Sequence, residues 1–502
     1  MRQLSKSKIL AFRQCPKRLW LELNRPELRD DSASEVAFAI GNQVGEVARR
    51  IYDSEQQGML IDVGTMGWES AYELTETWLK ERNGPLFEAA LRIPGALALA
   101  DVMLPVEGDG PPRWRMIEVK SSGSVKDYHR EDLAVQSYIA SGSGIMLSSA
   151  AVAHIDTSFV YPGEGKYEGL LNEVDLTVEA RSMAGEVANW ISAAQEVAAL
   201  AEEPEIETGP QCSSPFQCSF INYCSRNKPE LDYPLSSFYR LTTGRREQME
   251  AAGVTGVRDA PDSLLSEANR IIKQQTLAGE AWFDATGAAA SIARHPGTAC
   301  FLDFETIGFA VPVWPGTRPY QQVPFQFSLH VARPDGRIEH HEFLDLSRDN
   351  PTESFAEALI ELCGTEGPIF VYNATFERRI VRETGGLHAR FATALEALCE
   401  RLVDLEPIAR QHYYHPQQHG SWSLKAVLPA ICPDLSYGDL EGVANGNMAQ
   451  QAFQEAVNPS TTPERRREIE TQLLAYCRLD TFALLRLWQF FSGQEPTPAG
   501  LI

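Results

Sequence analysis

The sequence predicts a multi-domain α/β protein from three observations. At 502 residues the chain exceeds what one ordinary hydrophobic core serves, so two domains or slightly more are expected. Strand-like and helix-like patterns alternate over residues 1–230 and again from Thr298 onward, and the stretch between lacks strand signals. Each of the two α/β stretches carries its own set of spaced carboxylates. The expected division is 1–230, a helical connector over 231–297, and 298–492.

The first stretch contains an amphipathic helix, because Val36, Ile40, Val44, Val47 and Ile51 recur at helical spacing and carry Glu46 with them. Leu97–Leu104 alternates as a strand, EGDGPPR is a turn, and Trp114–Lys120 is a second strand, which together predict a hairpin. A helix over Glu131–Ala140 and a strand near Ala151–Ile155 follow. In the last stretch FLDFETIG, PFQFSLHV and GPIFVYN read as strands, and Pro463–Phe491 as a long terminal helix. There is no internal repeat and no low-complexity tract.

No run approaches the roughly 18–20 apolar residues of a membrane helix. The basic start MRQLSKSKILAFRQCPKR has no apolar region of a secretion signal, so a cytoplasmic protein is expected. A net charge of −23 argues against nucleic-acid binding through bulk positive charge. Metal-binding carboxylates themselves add to that negative count. The charge is uneven, with seven Lys or Arg against one acid in residues 1–25, as a phosphate track or a solvated helix face would have.

The chemistry-bearing residues form two constellations. In the first, Glu118 and Lys120 are two apart on a strand and share a face, while Ile117 and Val119 face the core. The hairpin can bring Asp101 beside them. Two carboxylates then suit a divalent metal, with a lysine near the water it activates. Glu46 and Gln136, on flanking helices, can complete the shell. A salt-bridged surface strand produces the same bare pattern.

Nine cysteines in a cytosolic chain do not read as disulfides. Cys300, Cys363, Cys399, Cys432 and Cys477 are scattered among apolar neighbours, as core filler is. The other four bracket the first constellation: Cys15 in FRQCPKRLWL, and Cys212, Cys218 and Cys224 in QCSSPFQCSFINYC. With the ALADVML strand and IEVKSS, this arrangement resembles the iron–sulfur RecB-like PD-(D/E)xK exonucleases over residues 5–228. That group includes the AddB-type nuclease domain and the small CRISPR-associated exonucleases.

The resemblance implies a restriction-endonuclease-like fold stapled by a 4Fe-4S cluster on the four cysteines. Asp101 and Glu118 would be metal ligands, Lys120 the water-orienting lysine, and Gln136 and Tyr138 the family's glutamine–tyrosine helix. Three departures stand out. Glu46 occupies the place of a metal-binding histidine, Gln136 and Tyr138 are closer together than usual, and Cys212 and Cys218 are farther apart. Joining Cys15 to Cys212 closes a loop of roughly 200 residues, so the cluster acts as a staple rather than a redox centre. Zinc is the competing occupant, because four thiolates suit it too.

In the second constellation, Asp303 and Glu305 are two apart on a strand, and Tyr476 and Asp480 are one helical turn apart. Between them VYNATFERRIV ends a strand and begins a helix carrying Glu377. Four carboxylates so placed can hold two metals roughly 3.5–4 Å apart for in-line phosphodiester attack. The order and spacing resemble the DnaQ-like DEDD exonucleases of the ribonuclease H-like fold, tyrosine subtype, over residues 298–492. That resemblance implies Asp303, Glu305, Glu377 and Asp480 as ligands, Tyr476 as the residue positioning water, and Asp404 in support. Glu377 departs from the usual aspartate. His412, His415 and His419 read as surface or stacking residues rather than a metal site.

The expected function is a Mg²⁺- or Mn²⁺-dependent nuclease with two active centres, acting on single-stranded DNA or DNA ends in repair, recombination or defence. Two alternatives remain: one centre is catalytic while the other domain binds nucleic acid, or the chain is a non-catalytic nucleic-acid-binding scaffold with a structural cluster.

Overall fold

The alternating runs of the sequence become two mixed β-sheets in the computed structural model, which describes residues 2–30, 34–81, 84–227 and 231–498. The architecture is multi-domain α/β. Unit 1 comprises Met1–Pro229 and Phe309–Tyr320; unit 2 comprises Glu230–Gly308 and Gln321–Ile502.

Unit 1 is built on a seven-stranded sheet: β1 (Leu4–Ser5), β2 (Met59–Leu60), β3 (Leu86–Ile93), β4 (Ala96–Val106), β5 (Arg113–Lys120), β6 (Met146–Ile155) and β7 (Leu171–Asp175). The order is β2-β3-β4-β5-β6-β7, with β1 parallel to one end of β4. β3, β4 and β5 form an antiparallel meander, and β6 joins β5 in parallel after the Asp127–Gly142 helix crosses over. Trp114, Met116 and Val152 pack with Leu133, Val135 and Ile139 of that helix in one core. Val119 and Ile155 instead pack with Val44 and Val47 of the Ser34–Tyr52 helix, and with Ala310 and Val311 of the inserted segment. Strand alternation thus sends Glu118 and Val119 to opposite sides of the sheet.

Unit 2 has β8 (Trp282–Phe283), β9 (Ala299–Ile307), β10 (Val323–Ala332), β11 (Ile338–Leu344), β12 (Ile369–Val371), β13 (Leu402–Asp404) and β14 (Tyr413–Tyr414). The five-stranded sheet runs β11-β10-β9-β12-β13; β8 and β14 pair separately. β9, β10 and β11 are antiparallel neighbours, while β12 lies parallel to both β9 and β13. The Pro463–Ser492 helix packs on β9 and β10 through a nearly continuous buried run from Asp480 to Leu487. Residues 231–297 belong to this unit: Phe238, Met249, Ile272 and Ile292 share a core with Phe301, Phe370 and Leu485.

Candidate active centres

Glu88, Asp101 and Glu118 stand in one row across β3, β4 and β5. Phe87 pairs with Val102 and Ala89 with Ala100, which leaves Glu88 opposite Asp101. Val102 pairs with Ile117, so the same register carried one step further sets Asp101 opposite Glu118. Glu88 has φ 54°, a left-handed conformation that side chains other than glycine rarely adopt. Such backbone strain gathers where surroundings over-determine it, as at active sites.

Each of the two expected ligands has one oxygen tied to the protein. Asp101 Oδ2 accepts the Val119 N–H at 2.7 Å. Glu118 Oε1 accepts Lys6 Nζ at 2.7 Å and Lys120 Nζ at 2.6 Å, while its buried Oε2 has no hydrogen-bond partner. Lys120 also donates to Asp132, and Lys6 to Gln136 Oε1 at 2.7 Å. Burial raises the Glu118 carboxyl to about 7, helped by the Asp101 charge and opposed by the two lysines. Burial raises Asp101 as well. For Asp132 the same burial is outweighed by Lys120 and Lys6, and its carboxyl falls. A partnerless buried oxygen beside a second carboxylate fits a divalent cation.

Gln136 is fully buried inside this network. Tyr138 is placed differently, packed half-buried against the apolar core. Glu46 does not join Asp101 and Glu118. Its helix packs on the Val119 side of the sheet, and its own carboxylate is 55% exposed and paired with Arg50 at 2.5 Å. Glu88 stands beside the pair instead. No motif marks Glu88, Lys6 or Asp132 in the sequence, although Asp132 and Gln136 are one helical turn apart, a usable signal.

Cys15, Cys212, Cys218 and Cys224 line one small cavity with Lys17, Arg18 and Phe220. Cys15 ends the Lys6–Gln14 helix and precedes the Pro16–Asn24 helix; the Cys218 N–H closes a turn onto the Cys212 carbonyl at 2.8 Å. All four thiols are free, and burial raises those of Cys218 and Cys224. Four thiols lining one cavity beside Lys17 and Arg18 are donors of the kind a metal-thiolate group takes. The other five cysteines are buried in unit 2.

In unit 2, Asp303 and Glu305 on β9 meet Asp480 on the Pro463–Ser492 helix, with one carboxylate oxygen from each lying within 4.8 Å of the other two. Burial raises all three: Glu305 to about 8, with the Asp480 charge adding, and Asp480 to about 6. Asp303 rises through burial and then the charges of Asp480, Glu305 and Glu377. Like charges held this close, out of water, are stable only with a counter-ion or a proton.

Glu377 lies outside that group but within electrostatic reach of Asp303. It is 5% exposed, its Oε2 has no hydrogen-bond partner, and burial raises it to about 8. The turn that delivers it is held by Asp404, which accepts the N–H groups of Asn373 and Ala374, each at 3.0 Å. Asn373 is left-handed at φ 75°.

Tyr476 is buried one turn before Asp480. Two further residues complete the surroundings. Tyr437 donates to Asp480 Oδ1, and Lys425 Nζ lies 4.7 Å from the Tyr437 ring centre and 5.1 Å from that of Tyr476. Each of the three histidines has a local partner: His412 pairs with Asp284, His415 caps a turn, and His419 stacks on Tyr233.

The pattern of a domain of unknown function (DUF2779) matches residues 300–423. That stretch contains Asp303, Glu305, Glu377 and Asp404, and stops before Lys425, Tyr476 and Asp480. No curated protein matches the chain. Among the described residues no helix is long and apolar enough to cross a membrane.

Proposed function

We propose that the chain is a divalent-metal-dependent nuclease that hydrolyses phosphodiesters at two centres, with single-stranded DNA or DNA ends as substrate. The observation that carries this reading is the Asp303/Glu305/Asp480 group, whose oxygens converge within 4.8 Å although burial and mutual repulsion oppose it. The mixed sheet order β11-β10-β9-β12-β13 agrees with a ribonuclease H-like exonuclease domain. In unit 1, the meander and parallel crossover that present Asp101, Glu118 and Lys120 agree with a RecB-like PD-(D/E)xK domain.

Asp303, Glu305 and Asp480, with Glu377 beside them, would hold Mg²⁺ or Mn²⁺ in unit 2; Asp101 and Glu118 would do so in unit 1. When bound, such a cation lowers the pKa of its water and neutralises charge on the phosphate. Tyr476 would orient the attacking water in unit 2, and Tyr437, bonded to Asp480 Oδ1, would hold that carboxylate in place for ligation. Lys120 orients the water in unit 1, balanced between Glu118 and Asp132. The four-cysteine cavity would hold a 4Fe-4S cluster or zinc, which fastens the Cys15 helix to the Cys212–Cys224 segment.

The test is a time course on end-labelled single-stranded DNA with Mn²⁺, using protein purified without oxygen and its Lys120→Ala and Asp303→Ala variants. Two centres predict that each variant loses a different part of the product ladder. A variant that cuts as wild type does makes its domain a nucleic-acid grip. Absence of cutting by all three, on DNA and RNA, leaves the scaffold reading.

A further inference from the structure

A second lysine enters the Asp101–Glu118 centre, from a part of the chain where the sequence shows only a basic run. Lys6 is the first residue of the Lys6–Gln14 helix, and the residue before it, Ser5, is both the helix cap and the end of β1. β1 is fixed along β4 by the pairs Leu4–Ala96 and Ser5–Leu97. The far end of the helix is fixed as well. Cys15 caps it, and Gln14 Nε2 donates to the carbonyls of Gln211 and Phe216 at 2.8 and 2.7 Å. A helix of nine residues held at both ends leaves its first side chain little freedom of position.

The Lys6 side chain is only 16% exposed, and its ammonium meets three partners. It donates to Glu118 Oε1 and to Gln136 Oε1, each at 2.7 Å, and lies 3.1 Å from Asp132 Oδ1. Two of the ammonium's three donors are hydrogen-bonded, to Glu118 and Gln136, and Asp132 is held by charge at ion-pair distance. Lys120 makes a similar pair of contacts, to Glu118 Oε1 and Asp132. Two cations therefore share one side of Glu118, and its partnerless Oε2 is left for a ligand.

We propose that Lys6 is a positioning residue of the unit 1 centre: it holds Glu118, Asp132 and Gln136 in register so that Lys120, which bonds Glu118 and Asp132, keeps its third donor for the attacking water. The proposal rests on the hydrolytic reading of that centre. Without Lys6, Lys120 must neutralise Glu118 and Asp132 alone, and its remaining donor is drawn to the oxygens that Lys6 leaves. A second consequence has the opposite sign for metal binding. Lys6 is a positive charge next to the cation position, so removing it strengthens cation binding while slowing the reaction. A side chain that only supports the fold does neither; its loss loosens the site and lowers the melting temperature.

The test uses the full chain with unit 2 silenced by Asp303→Ala, and adds Lys6→Met, Lys6→Arg or Lys120→Ala. Mn²⁺ affinity is read by calorimetry, and kcat and KM on end-labelled single-stranded DNA. Lys6→Met is expected to bind Mn²⁺ about tenfold more tightly and to cut at least about tenfold more slowly, with KM unchanged. Lys6→Arg is expected to recover most of both. Weaker Mn²⁺ binding with a lowered melting temperature, or unchanged kcat in Lys6→Met, overturns the proposal while a dead Lys120→Ala leaves the hydrolytic reading intact. A Lys120→Ala protein that cuts at the parent rate removes that reading, and the role of Lys6 with it.

Discussion

Tyr437 donates its phenolic hydrogen to Oδ1 of Asp480 across 2.5 Å, from a short turn forty-three residues before it. This bond holds one carboxylate of the unit 2 group in a single orientation, beside a lysine that favours its charge. Tyr437→Phe removes the bond and keeps the ring. Hydrogen bonds to charged groups contribute about 1.5–3 kcal/mol, so cutting by this centre should slow by about tenfold or more. Kinetics in a Lys120→Ala background isolate the effect; an unchanged kcat shows that Asp480 needs no such partner.

Asp303 stands among three other carboxylates and is raised by burial and by each of them. Replacing it with Asn removes like-charge repulsion. Asp303→Asn should therefore melt a few degrees higher than wild type without divalent metal, and gain less on adding Mn²⁺. Thermal melts with and without Mn²⁺ decide it. A variant with the full metal-induced shift takes Asp303 out of the ligand set.

His330 and His340 are held neutral on β10 and β11. Burial lowers them to about 3 and about 4, and they bond to Thr481 and Ser328. Their folded values lie below the unfolded 6.5, so between those limits the unfolded chain binds more protons. Their contribution is fully present above about pH 6.5 and is lost as pH falls toward 4 and 3. Urea unfolding at pH 7 and pH 5 should show less acid loss in a His330→Gln/His340→Gln variant than in wild type. An equal loss assigns the acid sensitivity to other groups.

Arg486 is buried on the long terminal helix and forms two bonds to Asp434, at 2.9 and 3.0 Å, and one to the Thr497 carbonyl. Asp434→Ala strands a buried guanidinium. Because Asp434 is 47% exposed, the cost should be moderate, about 1–2 kcal/mol, read as a lower urea midpoint. No change in midpoint means that water replaces the carboxylate freely.

Cys15→Ser should release bound iron or zinc, measured by elemental analysis and by visible absorbance, and lower the melting temperature. Cys300→Ser, at a buried core cysteine of unit 2, should keep the metal. Iron with visible absorbance identifies a cluster; colourless protein with one zinc identifies the rival ion. Equal metal content in the two variants excludes Cys15 as a ligand.

Local pattern was enough to find most elements. Periods of two and 3.6 marked β4, β5, β9, β10 and the Ser34–Tyr52, Asp127–Gly142 and Pro463–Ser492 helices. Spacing also put Glu118 with Lys120, Asp303 with Glu305 and Tyr476 with Asp480 on shared faces, because neighbours on one element are fixed by backbone geometry alone. Which residues from distant elements meet at those faces is set by register and packing. Glu88 reaches Asp101 only through the β3–β4 register, and Lys6 reaches Glu118 only because β1 pairs with β4. Glu46 shows the converse. Its place in the chain fitted the first constellation, but the apolar stripe of Val44 and Val47 seats its helix on the Val119 side of the sheet. Burial of that stripe, a sum over many side chains, decides where one carboxylate points.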